Sequence, residues 1–512
     1  MIKKLFFTLT AMLLASTLMA GPVDSRRAAV VAENSIRLIS LHNDDGTKAP
    51  IAPTDKVVMA PLYPEWNVEN LHLFNYQYGD REGFVIVSGD DIAAPVLAFS
   101  DEGQMDLSNA SPAARYWIER YSQQIAAGRE KAMHATPAIA RKWAVLEDKE
   151  AVEAMLVAKG DFYHDNIRQL LGNMRWNQGD PYNRLCPKKG SKRAVTGCVA
   201  TAFGMIMNYW DYPVHGFGNH SYNGADNPAA YPNWKYGELS ADFENTYYDW
   251  AHMDDWAAIN SSDSVVEAIS TLLYQLGVAF DMNYSPDGSG CWSLKEYAMF
   301  DTSLHLQPTV GAEYRIPKHF GYKFSYAGMR DSIGDDTLWM QMLYNSLAEG
   351  KPIYYAGWAV ENNEAGHSAT SGHGFIIDGY FSDEVDSNLF HLNWGWGGAD
   401  NGLFKIDALT PGGNDFTQWH GAVIGMEPDT SYHGYNPAAI RQLVLSNAIV
   451  YSEDGSIFVK GAENAAVIVY DIMGRKVGCR DNHEAADWSL RVRPGIYLVR
   501  IGNTAAKKIV VL

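Results

Sequence analysis

A cysteine follows a glycine at the start of an apolar segment. Thr196, Gly197 and Cys198 precede 201–210, whose large apolar residues recur at helical spacing. Cys198 is therefore predicted to lie at a helix N-terminus, where unpaired N–H groups and the positive end of the helix dipole favour the thiolate. The thiolate is the nucleophilic form of cysteine, so this position predicts acyl-transfer chemistry. Taken alone, such a cysteine is more often a buried structural residue.

A histidine and an asparagine lie at the ends of two short apolar segments further along the chain. His373 precedes 375–380, which is short enough for a buried strand, so a base at the mouth of a sheet could face Cys198. Asn393 ends the next strand at a Gly-rich turn. We expect Asn393 to accept the imidazole N–H of His373, and the indole of Trp394 to shield that hydrogen bond from water. The alternatives are that His373 is a structural histidine and that the two strands simply form the aromatic core of a β-hairpin.

An amide side chain precedes the cysteine by 20 residues. Gln178 lies in the polar turn 177–183, and its N–H group could join the backbone N–H of Cys198 in an oxyanion hole. Removing one such donor costs roughly 3 kcal/mol of transition-state stabilisation. Gln178 is therefore a candidate donor, although a glutamine in a turn does not indicate a catalytic role without the other residues.

The elements that must position these residues belong to a large, acidic chain. Its 512 residues predict roughly three domains, and its composition, 47% hydrophobic and 20% charged, is typical of folded globular protein. A formal net charge of −19 argues against binding to nucleic acid or to anionic lipid. The sequence has no His-Glu-x-x-His segment, P-loop or dinucleotide-binding glycine pattern, so we expect no metal and no other cofactor.

The first 20 residues have the anatomy of a secretory signal peptide. Lys3 and Lys4 precede the apolar run 5–18, and the small residue Ala20 precedes Gly21. A buried N-terminal helix is the alternative. No later segment is apolar enough over ~18 residues to span a bilayer, so we expect an exported protein with no transmembrane segment in its mature form. Four cysteines are too few for a disulfide-dense scaffold.

Residues 21–160 predict an α+β unit. Short β-rich segments separated by turn residues indicate a small antiparallel sheet. These segments lie at 73–76, 84–88 and 96–99. A helical stripe over 113–126 could pack on the sheet. The charged, Ala-rich stretch 130–159 lacks a clear apolar stripe, so we expect a solvated helix or exposed connector that proteases can reach.

The rest of the chain predicts two more domains. An aromatic and Gly-rich domain at 161–428 is followed by a Pro/Gly/Tyr-rich linker at 429–440 and a small β domain at 441–512. Alternating strands with Gly-containing turns between them predict a β-sandwich in this last domain. The predicted strands are 457–460, 467–470, 488–492, 496–501 and 509–512.

Four segments of the large domain resemble the streptopain family of papain-like cysteine peptidases, especially its interpain-type members. These segments are NQGDPYN at 177–183, TGCVAT at 196–201, GHGFIIDG at 372–379 and NWGWGG at 393–398. The resemblance implies an α+β, papain-like fold of two subdomains. It also implies an endopeptidase that prefers a hydrophobic side chain two residues before the scissile bond.

The same resemblance implies a role for each candidate residue. Cys198 is the nucleophile and His373 the general base in this interpretation. Asn393 orients the histidine, and Gln178 donates a hydrogen bond to the oxyanion. Trp394 shields the hydrogen bond between His373 and Asn393 from water.

Residues 71–103 resemble the propeptide of the same family. This implies that residues 21–160 form an inhibitory propeptide, which displaces His373 from the site and is removed by cleavage near Lys159. The expected partners are then protein or peptide substrates and the chain's own propeptide as inhibitor.

The C-terminal segments 469–475 and 495–500 resemble the sorting domain of type IX secretion substrates. That resemblance implies a further partner, the type IX secretion machinery, and export through the periplasm and across an outer membrane. Release or surface attachment would follow. A carbohydrate-binding or spacer β-sandwich is the alternative for this domain.

Two other functions use the same residue types. A transamidase would pass the acyl group from Cys198 to an amine instead of water. A surface adhesin or haem-capturing protein would carry a peptidase core that has lost activity, but intact Cys198, His373, Asn393 and Gln178 argue against it.

Overall fold

The computed structural model describes residues 21–42, 56–61, 68–79, 81–158, 164–225, 234–295, 311–363, 366–383, 388–407, 420–431, 449–453, 456–460, 467–471, 476–480, 488–493, 495–501 and 507–511. The predicted signal peptide, Lys159 and most of the predicted linker lie outside these residues. No helix among the described residues is long and apolar enough to cross a bilayer.

The N-terminal unit combines helices with an antiparallel sheet, as predicted. Its helices are α1 (Ser25–His42), α2 (Pro112–Glu130), α3 (Pro137–Glu147) and α4 (Lys149–Ala158), and its strands are β1 (Val58–Pro61), β2 (Leu71–Tyr78), β3 (Arg81–Ser88) and β4 (Val96–Ser100). The three predicted strands are confirmed as β2, β3 and β4, and the predicted helix as α2. Helix α2 begins at Pro112 because the Ser111 side chain accepts the N–H of Ala114, and proline needs no partner at the first helical position.

The prediction of a solvated helix or exposed connector at 130–159 is wrong in its account of burial. This stretch contains α3 and α4, and Ile139, Trp143 and Leu146 of α3 are buried in an apolar cluster that also includes residues of α1. These three residues are spaced four and three apart, which places them on one helix face. Charged neighbours between them hide this short stripe in the sequence.

The large domain contains further helices and strands around the candidate residues. In chain order these are β5 (His164–Ile167), β6 (Lys188–Lys189), β7 (Lys192–Arg193), α5 (Cys198–Trp210), β8 (Asn219–Asn223), β9 (Glu238–Asp242), α6 (Asp263–Ala279), α7 (Ala312–Phe320), β10 (Tyr322–Lys323), β11 (Tyr326–Met329), α8 (Asp336–Ala348), β12 (Ile353–Asn363), β13 (Gly366–Asp383), β14 (Leu389–Asn393), β15 (Gly402–Lys405), β16 (Gly421–Ile424) and β17 (Glu427–Pro428). The mixture of helix and sheet confirms the α+β class.

One sheet runs through both the N-terminal unit and the large domain. Its strand order is β1-β2-β3-β4-β15-β14-β13-β12-β16-β11, with β5 on β13. Strands β4 and β15 join the two regions, with Phe99 opposite Leu403 and Ala98 opposite Phe404. The small N-terminal sheet is therefore not a separate layer. An open edge at β15 would leave backbone N–H and C=O groups without partners, and β4 satisfies them.

Two apolar clusters make up most of the large domain's core. The first surrounds α5 and α6 and includes Phe203 and Leu273. The second lies on the sheet and includes Phe375 and Trp394 together with Trp117 from α2. Cys198 on α5 and His373 on β13 lie on two elements that contact each other.

The C-terminal region folds into two antiparallel sheets, which agrees with the predicted β-sandwich. Its strands are β18 (Ile449–Glu453), β19 (Ser456–Lys460), β20 (Val467–Asp471), β21 (Lys476–Arg480), β22 (Trp488–Arg491), β23 (Gly495–Ile501) and β24 (Lys507–Val511). One sheet has the order β18-β19-β22 and the other the order β21-β20-β23-β24. All five predicted strands are present, and β18 and β21 are additional.

Candidate active site

Cys198 is the first residue of α5, as predicted. Gly197 before it has a φ of +88°, a conformation that favours glycine, and a Cβ atom there would lie 2.8 Å from the Met282 side chain. The backbone N–H of Gly374 donates to Cys198 Sγ at 3.4 Å. A helix N-terminus and a donated N–H both stabilise negative charge on the sulfur.

His373 lies on β13 directly before Gly374, and its imidazole is hydrogen-bonded to Cys198. Its Nε2 atom lies 3.2 Å from the backbone oxygen of Trp394. A carbonyl can only accept, so Nε2 is the donor in that contact. This bond orients the ring and leaves the other ring nitrogen for Cys198.

The two side chains shift each other's pKa in opposite directions. Burial raises the pKa of Cys198, but the charge and hydrogen bond of His373, with the N–H groups of Gly374 and Val199, outweigh burial and hold the pKa below that of an ordinary thiol. Burial lowers the pKa of His373, but the Cys198 thiolate and the Trp394 carbonyl raise it above its usual value overall. Both shifts favour a thiolate and imidazolium pair.

Neither of the other two cysteines in the large domain has a lowered pKa. Burial raises the pKa of Cys186 to about 12. Burial and the nearby Cys198 charge raise the pKa of Cys291 well above that of an ordinary thiol. Of these three cysteines, only Cys198 has its pKa shifted toward the thiolate form.

The predicted hydrogen bond from His373 to Asn393 is wrong in this structure. Asn393 Nδ2 donates to the backbone oxygen of Met174 at 2.8 Å, and its Oδ1 accepts the N–H of Gly395 at 3.1 Å. The backbone oxygen of Trp394 takes the expected acceptor role. A buried amide needs partners on both ends, and two fixed backbone groups satisfy Asn393.

Trp394 is fully buried beside the histidine. Its ring packs on Phe375 at 4.7 Å between centroids, and Phe375 stacks on His373 at 6.4 Å. Its indole N–H donates to the backbone oxygen of Asp400 at 2.8 Å. Trp394 thus contributes a backbone acceptor to His373. The hydrogen bond that its indole was expected to shield is absent, and Phe375 lies between the two rings.

Gln178 is buried, and its Nε2 atom has no hydrogen-bond partner. Its backbone oxygen accepts the N–H of Thr196 at 3.0 Å, which ties it to the segment that leads into Cys198. A buried donor without a partner costs about 1–3 kcal/mol. Such a group is available for an atom of a ligand.

Sequence reasoning missed Gly374, whose N–H contacts the sulfur. A Cβ atom at this position would lie 2.5 Å from the Tyr354 hydroxyl, so the close approach of β12 to β13 requires glycine. The available signal was the glycine between His373 and an apolar strand. The expected displacement of His373 is also not found, because the imidazole already contacts Cys198 with the N-terminal unit in place.

Trp117 of α2 fills an aromatic pocket formed by Tyr355, Phe375, Trp394 and His420. Its ring stacks on His420 at 5.1 Å between centroids and meets the edge of Phe375 at 5.4 Å. Its indole N–H donates to the backbone oxygen of Lys405 at 3.0 Å. The N-terminal unit is therefore anchored one aromatic ring away from His373.

No cluster of three or more His, Cys, Asp or Glu side chains suited to a metal ion occurs among the residues that the structure describes.

Comparison with known proteins identifies related sequences along most of the chain. Residues 176–404 match the Peptidase C10 family, and residues 20–125 match the Spi protease inhibitor family. The thiol protease/hemagglutinin PrtT of Porphyromonas gingivalis is 28% identical over 437 residues, which are 83% of this chain and 44% of that protein. The chain thus spans less than half the length of that relative.

Two other relatives are matched over most of their own length. Streptopain of Streptococcus pyogenes is 29% identical over 382 residues, covering 71% of this chain and 82% of streptopain. A solved structure of a prointerpain A fragment of Prevotella intermedia, in a cysteine-to-alanine mutant, is 27% identical with a TM-score of 0.52. The match covers 72% of this chain and 98% of that one.

Proposed function

Because the chain belongs to the peptidase C10 family, we propose that it is the zymogen of a secreted cysteine endopeptidase with Cys198 as nucleophile and His373 as general base and acid. The observation that carries the proposal is the contact between the Cys198 sulfur and the His373 imidazole, with the thiol pKa lowered. Only a stabilised thiolate is a strong nucleophile at neutral pH.

The proposed reaction proceeds through a thioester acyl-enzyme. The Cys198 thiolate attacks the carbonyl carbon of a peptide bond, and the oxygen takes the negative charge. As the C–N bond breaks, the imidazolium of His373 gives its proton to the leaving amine. Water then attacks the thioester carbonyl while His373 takes its proton, and the acid product and the thiolate are released.

Gln178 is the proposed oxyanion donor, together with the backbone N–H of Cys198. The unpaired, buried Nε2 of Gln178 supports this role, because a donor fixed in advance costs no reorganisation when charge develops. Asn393 is a proposed positioning residue that acts through its neighbour. By holding the N–H of Gly395, it fixes the turn whose Trp394 carbonyl orients His373.

The flanking regions support a zymogen made for export. We propose that residues 21–160 form an inhibitory propeptide, and the match of 20–125 to an inhibitor family supports this. We propose that residues 161–428 form a papain-like catalytic domain of two subdomains. Cleavage near Lys159 would activate the enzyme. We also propose the signal peptide 1–20, the linker 429–440, a sorting role for the β-sandwich 441–512 in type IX secretion and a hydrophobic preference two residues before the scissile bond.

Product analysis tests hydrolysis against acyl transfer. Matured enzyme and a peptide substrate are incubated with a primary amine, and the N-terminal fragments are weighed by mass spectrometry. A peptidase gives mainly the free acid, because water attacks the thioester. A mainly amide adduct at modest amine concentration contradicts the proposal and identifies a transamidase.

Replacing Gln178 by alanine is expected to lower kcat about 10²-fold with little change in KM, the loss of roughly 3 kcal/mol seen when one oxyanion donor is removed. Gln178→Glu is the matched control for size, since it keeps the volume but has no N–H donor. We expect it to be at least as impaired. Steady-state kinetics on one peptide measure both, and an alanine variant within threefold of wild type rules out the role.

A further inference from the structure

A basic β-hairpin lies between Gln178 and Cys198 in the chain. Its strands are β6 and β7, and it carries Lys188, Lys189, Lys192 and Arg193. No carboxylate occurs in the sequence between Asp180 and Asp211. This is a local concentration of positive charge in a chain whose formal net charge is −19.

The hairpin presents its lysines from a fixed base. Arg193 donates to the backbone oxygen of Cys186 at 2.8 Å, and the Lys192 ammonium lies 5.6 Å from the centre of the Trp234 ring. Lys188, Lys189 and Lys192 are exposed. A charged group on a fixed scaffold loses less entropy on binding a partner than one on a mobile loop.

The base of the hairpin is also part of the candidate active site. The side-chain amide of Asn183 donates to the backbone oxygen of Ala194 at 2.9 Å and closes the hairpin. Two residues further on, Thr196 donates its N–H to Gln178. Lys192 precedes Cys198 by six residues, so their Cα atoms are at most about 20 Å apart.

We propose that this hairpin is an exosite that binds an acidic segment of the polypeptide substrate, within about six residues of the scissile bond. The proposal rests on the proposed peptidase function and specifies its substrate class. Exposed lysines on this hairpin attract carboxylates before the peptide bond reaches Cys198, which lowers KM more than it changes kcat. The attraction between exposed charges weakens as salt screens them.

Matched peptides test the exosite with enzyme matured from the full chain. Two sets share one cleavable core and carry three Glu or three Gln residues on either the N-terminal or the C-terminal side. We expect the wild type to cleave one Glu peptide with a kcat/KM about tenfold above its Gln counterpart. This preference should disappear at high salt, and in the double variant Lys188→Gln with Lys189→Gln.

A charge-reversal variant and a matched control show whether the preference depends on the charge of this hairpin. Lys188→Glu with Lys189→Glu should disfavour the Glu peptide, whereas Lys295→Gln with Lys323→Gln, the same loss of charge at exposed positions elsewhere, should keep the preference. Normal cleavage of the Gln peptides with no Glu preference, or a preference unchanged in the double variant, overturns the exosite alone. Failure to cleave any of the peptides overturns the peptidase function with it.

Discussion

Alanine at position 198 is expected to abolish peptide cleavage by the matured protein and self-processing of the zymogen. In the proposed mechanism the Cys198 sulfur forms the bond that splits the reaction into two steps, and the nearby Cys291 does not replace it because the pKa of its thiol is raised. Loss of a nucleophile of this kind lowers kcat by roughly 10⁴-fold or more. Peptide hydrolysis assays and N-terminal sequencing of the purified chain measure the two effects.

Cys479→Ala is the control for this substitution, because Cys479 is an exposed free thiol of the C-terminal β-sandwich. It should process and cleave as the wild type does. A purified Cys198→Ala protein that still matures and digests casein would remove Cys198 from the mechanism. Equal circular dichroism spectra of the two variants show that any loss comes from chemistry and not from unfolding.

The pH dependence of alkylation gives a second measure of the same sulfur. Because the pKa of Cys198 is lowered, its reaction with iodoacetamide should stay fast below the ordinary thiol pKa of about 8.5 and decline only as the pH falls through its own pKa. His373→Ala removes the positive charge, so the decline should move to higher pH. Identical profiles for the two proteins contradict the ion pair.

The sequence predicts that Cys198 and His373 meet better than it predicts the contacts around them. Cys198 begins a helix as its flanking residues indicate. His373 lies within β13 and not before a short strand as predicted, and its imidazole contacts Cys198. The sequence predicts Asn393 as the acceptor for His373, but the acceptor is its neighbour: Asn393 offers a side-chain oxygen and Trp394 a backbone oxygen. Which of these faces the ring depends on the conformation of the Gly-rich turn, which residue types alone do not determine.

The sequence does not predict that the sheet is continuous, and the reason again lies in contacts between distant parts of the chain. The local alternation of apolar residues predicts β2, β3 and β4, but it does not predict that β4 pairs with β15. That pairing joins positions far apart in the chain, and it depends on both edges being exposed at the same place after each region has folded. Tertiary packing also determines the inner face of α3, where charged residues separate the buried ones.

Replacing Trp117 by alanine is expected to loosen the N-terminal unit and accelerate activation. Trp117 is 1% exposed, and its ring contacts His420, Phe375 and Trp394 of the proposed catalytic domain. Truncating a buried tryptophan costs roughly 3–5 kcal/mol. If most of that free energy is lost from the binding of the proposed propeptide to the catalytic domain, the rates of self-maturation and of peptide hydrolysis by the uncut zymogen should rise about 10²-fold to 10³-fold.

The origin of such an increase can be separated from damage to the enzyme itself. Trp117 lies before the proposed cleavage point, so the enzyme matured from the Trp117→Ala zymogen has the wild-type sequence and must show the wild-type kcat/KM. Trp117→Phe keeps a ring in the pocket and should mature close to the wild-type rate. A Trp117→Ala zymogen that matures no faster than wild type, with the melting temperature of the zymogen unchanged, shows that this pocket does not hold the propeptide.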